Sequence, residues 1–270
     1  MGNRTREQLY EQYIVERELA DRLRRSDRKE RKRLYSMLYD ELFQRVPHHP
    51  QLSKKSDPAL GLKSAGLQMN LLERFLTPDS TFLEIGCGDC ALSLEVARRV
   101  RRVYGIDVAR KVSSLETTPE NFSLIISDGT SIGAPPDSVD LAYSNQLLEH
   151  LHPDDVLEHM QNVYRALTPG GVYIFTTPHR FAGPHDISKY FGKEAKGLHL
   201  HEYTYGEIAP LLRSAGFSRL SSYKRFGSRH ARVSFFAMMA LERFAGRLPS
   251  VLRLRMSNVV FRTIRIGAEK

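Results

Sequence analysis

Between residues 81 and 176 short apolar runs alternate with helical stretches, and this alternation constrains the fold more than any other feature of the 270-residue chain. Thr81–Ile85, Val103–Ile106, Phe122–Ile126, Val139–Ser144 and Val172–Thr176 read as strands, with helices expected over 90–101 and 153–167. Most of these runs are apolar nearly throughout, as strands covered on both faces are. Strands separated by helices imply a largely parallel sheet, whose ligands bind beyond the carboxyl ends of the strands. A helix with Leu71, Leu72, Phe75 and Leu76 precedes the region and stops before Pro78. Behind it, Leu220–Tyr223 and Val259–Ile266 read as strands separated by an apolar helical segment, Val233–Phe244.

The ends of the chain differ in charge from its centre. Residues 1–55 carry a net +5, residues 56–217 a net −6 and residues 218–270 a net +10. Basic ends suit an anionic membrane surface, a nucleic acid or an anionic substrate, and a solvated helix face has the same composition. Residues 1–46 repeat apolar side chains at three- and four-residue spacing (Tyr10, Tyr13, Ile14, Leu19, Leu23, Leu34, Leu38, Leu42), so a helix is expected there until Pro47. We divide the chain into a helical cap and linker, 1–58, and a main domain, 59–270. Two cysteines do not make a disulfide scaffold. The polar start, with Arg6 where an acylation signal needs Ser or Thr, and a longest apolar run of nine residues (Val233–Leu241) lead us to expect a cytoplasmic protein.

After the first strand the chain reads Glu84-Ile85-Gly86-Cys87-Gly88-Asp89-Cys90-Ala91 and enters a helix. Glycines at such a turn let backbone amides approach a ligand closely. Gly86, Gly88 and Ala91 satisfy the dinucleotide pattern, and Asp107 ends the second strand 21 residues after Gly86, where a ribose-binding acid belongs. A nicotinamide dinucleotide and another adenosine ligand are both compatible with that spacing, and a helix N-cap is the plainer role for Asp107. Cys87-Gly88-Asp89-Cys90 is also a C-x-x-C at a helix start, a pattern used by redox and zinc sites. We expect neither here, because the turn already accounts for the glycines.

Residues elsewhere break the tie. Leu83-Glu84-Ile85-Gly86-Cys87-Gly88 resembles the first motif of class I S-adenosylmethionine-dependent methyltransferases. Ser127-Asp128-Gly129-Thr130, Asp140–Leu151 and Leu167–Ile174 resemble the motifs that this family places after the third strand, along the fourth and into the fifth. The resemblance covers roughly residues 60–225. It implies a Rossmann-like seven-stranded, mostly parallel α/β sheet with helices on both faces, here with an N-terminal helical cap, and S-adenosyl-L-methionine as cofactor. Carried onto this sequence, it implies that Gly86 and Gly88 admit the methionine part and that Glu84 steadies the loop or the ligand amine. Asp107 would take the ribose hydroxyls, Asp128 and the Gly129 amide would position adenine, and Asn145 would line the site. Cys90 stands where many members have glycine.

The segment between the fifth strand and the next helix, near 178–203, is long for a connection, as functional loops often are. It resembles the substrate-side insert of bacterial small-molecule methyltransferases and contains His179, His185, Asp186, His199 and His201. Structural polar residues, a general base and a metal site all suit such a set. We expect catalytic roles for His150, His185 and His201 and assign no metal. Thr204 and Glu207 are spaced as a capping box for the following helix. The acceptor implied is a small molecule, methylated on oxygen. RNA methylation, nicotinamide-dependent oxidation or reduction and a cofactor-binding regulatory subunit are the alternatives. The chain lacks both a recognisable RNA-binding module and an Asn-Pro-Pro-Tyr-type motif, which disfavours nucleic acid as a partner. A homodimer and a peripheral contact with an anionic surface are compatible with the sequence.

Overall fold

In the computed structural model, residues 4–55, 58–108 and 118–270 are described. Strands β1 (Thr81–Ile85), β2 (Arg102–Asp107), β3 (Phe122–Ile126), β4 (Val139–Asn145) and β5 (Leu167–Pro178) run parallel, as their apolar composition leads one to expect. The order across the sheet is β3-β2-β1-β4-β5-β8-β6-β7, where β6 is Arg219–Phe226, β7 Arg229–Ser234 and β8 Thr263–Glu269. β8 lies antiparallel between β5 and β6. The chain order reverses between β1 and β4, which opens the ligand crevice beyond their carboxyl ends.

The sheet has eight strands among the described residues, not the expected seven. The additional one is β7, which folds back on β6 through Gly227 at φ +60. Its sequence, Arg-His-Ala-Arg-Val-Ser, is too charged to look like a strand, and charge is what an edge strand carries to discourage further pairing. The apolar helix therefore begins only at Phe235. Likewise Val259 and Val260 belong to a helix, and the last strand starts at Thr263.

On the faces of the sheet lie α4 (Pro58–Leu72), α5 (Ala91–Ala97), α6 (Pro153–Ala166), α7 (Tyr205–Ala215), α8 (Phe235–Gly246) and α9 (Ser250–Val260). The expected first helix is two, α1 (Arg6–Arg25) and α2 (Arg28–Arg45). Ser26 is extended, and the Asp27 carboxylate caps α2 by accepting from the Glu30 amide at 2.8 Å. The short α3 (Pro50–Lys55) replaces part of the expected linker, and Ser56 and Asp57 lie outside the described residues.

The cap has no core of its own. Val15, Leu19, Leu23, Leu34, Tyr35, Leu38 and Leu42 belong to the same buried cluster as Ile85, Ile106 and Leu148 of the main domain. A buried ion pair fixes the registration. The Arg31 guanidinium donates through Nε and Nη2 to both oxygens of Asp155 at 2.7 Å, and the Tyr35 hydroxyl donates to Asp155 at 2.9 Å. The same hydroxyl accepts the His152 amide at 2.7 Å, so α2 is bolted to the first turn of α6. Burial alone would raise the Asp155 pKa, yet the Arg31 and Tyr35 hydrogen bonds hold it below the usual 3.8. Arg31→Met is expected to destabilise the chain by about 3–5 kcal/mol, because it leaves a carboxylate buried without its countercharge. Urea unfolding at neutral pH checks this, and Arg31→Met with Asp155→Leu together are expected to recover most of the loss.

Candidate active site

The turn after β1 is built by backbone geometry. Gly86 takes φ +75, and the Gly86 and Cys87 amides both donate to the Ile106 carbonyl, at 2.7 and 3.0 Å. This folds the loop back over the end of β2. The Gly88 amide then donates to Asp107 Oδ2 at 2.9 Å, tying the glycine loop to the ribose-type acid. Cys90, at φ 58, occupies the left-handed position before α5, where glycine is less strained. Both cysteines are buried with sulfurs 3.5 Å apart. The Cys90 contact and burial push the Cys87 thiol far up, which disfavours a thiolate there.

A cavity of about 650 Å³ opens at this turn. Its wall includes Glu84, Gly86, Gly88, Asp107, Gly129 and Asn145, so six of the expected cofactor residues converge on one space. Asp128 is not on that wall. Its carboxylate closes its own loop, accepting the Thr130 and Ser131 amides at 3.0 and 2.8 Å, and pairs with Lys32 Nζ at 3.0 Å. The neighbouring Gly129, at φ +95, is pressed so closely by Tyr35 that an added Cβ would sit 2.6 Å from the ring. Asn145 accepts from Thr176 Oγ1 at 2.5 Å.

The wall also holds residues with no sequence motif to reveal them. Tyr35, Leu38 and Tyr39 of α2 and Leu60, Gly61 and Gln68 of α4 close the cavity from outside the sheet. Only the heptad-like spacing of α2 hinted that it packs on something, and nothing local said on what.

Among the expected catalytic histidines, His150 lines the cavity; His185 and His201 do not. His185 Nδ1 lies 3.3 Å from Glu202 and His201 Nε2 lies 3.3 Å from Glu207. His179 is wholly buried, 2.7 Å from Glu242 and stacked on Phe261. His199 Nδ1 lies 2.8 Å from Glu202 as well. The Thr204–Glu207 capping box is present at the start of α7.

His150 is held by Leu198, whose carbonyl accepts from Nδ1 at 2.9 Å, and its ring meets His199 edge-on with centroids 5.0 Å apart. Burial and the His199 charge push His150 down to about 3, leaving it neutral with Nε2 as an acceptor. Although burial opposes it, the Glu202 hydrogen bond and the carboxylates of Glu149 and Asp186 raise His199. Burial raises Glu149 to about 7.

A family profile described as a methyltransferase domain matches residues 83–175, which span the glycine loop, Asp107, Gly129 and His150. Over these residues the chain carries a methyltransferase domain. That match favours S-adenosylmethionine as the ligand of these residues over the dinucleotide that the glycine spacing left open. A probable S-adenosylmethionine-dependent methyltransferase of Mycolicibacterium smegmatis is 29% identical over 136 residues, 50% of this chain and 51% of the relative. A carboxy-S-adenosyl-L-methionine synthase of Actinobacillus succinogenes is 26% identical over 141 residues, 49% and 58% respectively. The chain thus spans about half the length of the curated relatives it matches. Among solved structures, a methyltransferase from Mesorhizobium loti superposes with a TM-score of 0.51 at 19% identity, over 76% of this chain and 98% of that one. The Haemonchus contortus phosphoethanolamine N-methyltransferase 2 superposes at 0.52 and 18%, over 75% and 52%.

Glu84 offers a direct check on the electrostatics. It is buried, accepts from Ser93 Oγ at 2.6 Å, and burial pushes it up to about 8. The folded chain keeps this proton to about pH 8, whereas the unfolded chain releases it near 4.5. Stability of the ligand-free chain is therefore expected to fall as pH rises between these values, at a rate set by the protons that folding retains. Glu84→Gln should remove this part of the slope in denaturant titrations across that range.

Proposed function

We propose that this chain transfers the methyl group of S-adenosylmethionine to an oxygen of a small-molecule, sugar or lipid biosynthetic intermediate. One observation carries the reading: a single cavity reaches from the glycine loop and Asp107 to His150. A donor site and a polar group for the acceptor thus share one space, roofed by α2 and α4. In such a space most of the rate enhancement comes from holding the two reactants in line and dry. The acceptor oxygen forms the new bond to the methyl carbon, the C–S electron pair stays on sulfur, and the hydroxyl proton leaves to solvent.

In this reading the backbone of Gly86 and Gly88 faces the methionine part and Glu84 answers its ammonium group. Asp107 accepts the ribose hydroxyls, while the Gly129 amide and the loop shaped by Asp128 position adenine beside Tyr35. Asn145 flanks the sulfonium end. His150 is the histidine placed to meet the acceptor, and its neutral state favours a hydroxyl over an incoming cation. We assign His185 and His201 to positioning the insert against Glu202 and Glu207. Asp107→Ala is expected to weaken S-adenosylmethionine binding by at least about 10-fold, since each lost charged hydrogen bond is worth about 1.5–3 kcal/mol. Calorimetry reads this, and wild-type affinity in the variant would remove the assignment.

We also propose that the basic C-terminal region rests on an anionic surface during turnover. What supports this is composition at the surface of α8 and α9: Phe236, Phe244, Val251, Leu252 and Val259 are exposed, and Arg243, Arg247 and Arg255 lie among them. No helix among the described residues is long and apolar enough to cross a membrane. Apolar side chains set among arginines suit an interfacial contact. The chain is expected to sediment with vesicles containing anionic lipid and not with neutral ones. Raising salt from about 0.1 M to about 1 M should weaken the interaction, as the screening length falls from about 10 to about 3 Å.

A further inference from the structure

We infer that Glu149, His150 and His199 bind one divalent first-row transition-metal ion on the wall of the cavity. These residues each offer one ligand atom, and the atoms lie within 4.8 Å of one another. Two further observations point to a ligand there. First, Glu149 is completely buried; Thr177 Oγ1 donates to its Oε2 at 2.9 Å, but Oε1 has no hydrogen-bond partner. A native fold seldom leaves a buried carboxylate oxygen without a partner. Second, both imidazoles are already held through one ring nitrogen, which leaves the other as a ligand atom. His150 Nδ1 is fixed by the Leu198 carbonyl at 2.9 Å and His199 Nδ1 by Glu202 Oε1 at 2.8 Å. The Nε2 atoms remain as ligands, and the outer partners are of the carbonyl and carboxylate kind that orient metal-bound histidines.

The three residues come from two segments locked together. Glu149 and His150 follow β4, and His199 lies in the insert; the Leu200 amide donates to the Glu149 carbonyl at 2.7 Å. The ligand set is thus formed by the folded chain in advance of any ion. Two imidazoles and one carboxylate select zinc, iron or manganese over magnesium, and leave coordination positions open to a further oxygen donor. His150 lines the cavity, so the site borders it. This deepens the methyl-transfer reading and rests on it for its chemistry. A hydroxyl acceptor would enter as a ligand of the ion, lose its proton to solvent more readily, and present an oxygen lone pair to the methyl group.

The experiment uses the full, tag-free chain, freed of metal with chelator and equilibrated with Zn²⁺, Mn²⁺ or Co²⁺. Bound metal is counted by mass spectrometry and the Co²⁺ absorption spectrum recorded. About one ion per chain is expected in the wild type, with at least a 10-fold loss of affinity in Glu149→Gln and in His199→Ala. Glu202→Gln should lose about 10- to 100-fold through its effect on His199, while His201→Ala should bind as the wild type does. His199 is less buried than Glu149, so its variant keeps the test should Glu149→Gln fail to fold. Binding well below one ion, or unchanged affinity in a folded His199→Ala, overturns the site. Calorimetry of the metal-free chain with S-adenosylmethionine separates the two readings. Cofactor binding without metal binding defeats this inference alone, and metal binding without cofactor binding defeats the methyl-transfer reading and leaves the ion site standing.

Discussion

The buried Arg31–Asp155 pair is the contact on which the rest of this site depends. A bidentate guanidinium on a carboxylate sets direction as well as distance. Tyr35 extends it to the His152 backbone amide, so the second helix of the cap sits in one register on the sixth. From that register Tyr35 is pressed on Gly129, and Leu38 and Tyr39 reach the cavity. A pair desolvated this fully adds little net stability over a well-packed apolar substitute. Here its geometric role is evident: it places an aromatic wall opposite the glycine loop.

A second set of polar contacts ties the other side. The insert after β5 returns to the end of β4, where the Glu149 carbonyl accepts from Leu200 and the Leu198 carbonyl from His150. The Leu198 amide donates to Glu16 of α1 at 3.4 Å, and Glu16 in turn lies 3.4 Å from His49. The cap thus touches the insert as well as α6. Packing, not a flexible hinge, brings these segments around the cavity, and each contact is between residues more than 45 positions apart or in separate elements.

Much of the central sheet was legible in the sequence, because strands covered on both faces must be apolar and must be separated by helices. The glycine loop was legible for a local reason: a turn that exposes backbone amides needs positive φ, and Gly86 and Gly88 supply it. Asp107 followed from spacing along consecutive elements. The edge hairpin was not legible, because β7 is stabilised by pairing with β6 and not by any apolar pattern of its own. The break in the cap was signalled only by Ser26-Asp27 amid a basic run that otherwise reads as continuous helix. Among the histidines, residue type alone did not distinguish His150 at the cavity from His185 or His201 beside carboxylates.

By itself, the sequence determined the parallel α/β core, the position of the glycine loop and the resemblance to a methyltransferase domain over residues 83–175. These properties rest on local backbone conformation and on periodic burial, both written into neighbouring residues. Tertiary structure alone decided which face α2 and α4 roof, that Asp128 shapes a loop and stays off the cavity wall, and that Glu149, His150 and His199 meet. Such outcomes depend on contacts between distant segments, and burial then changes their chemistry: inside the wall the His150 imidazole is held well below its usual basicity.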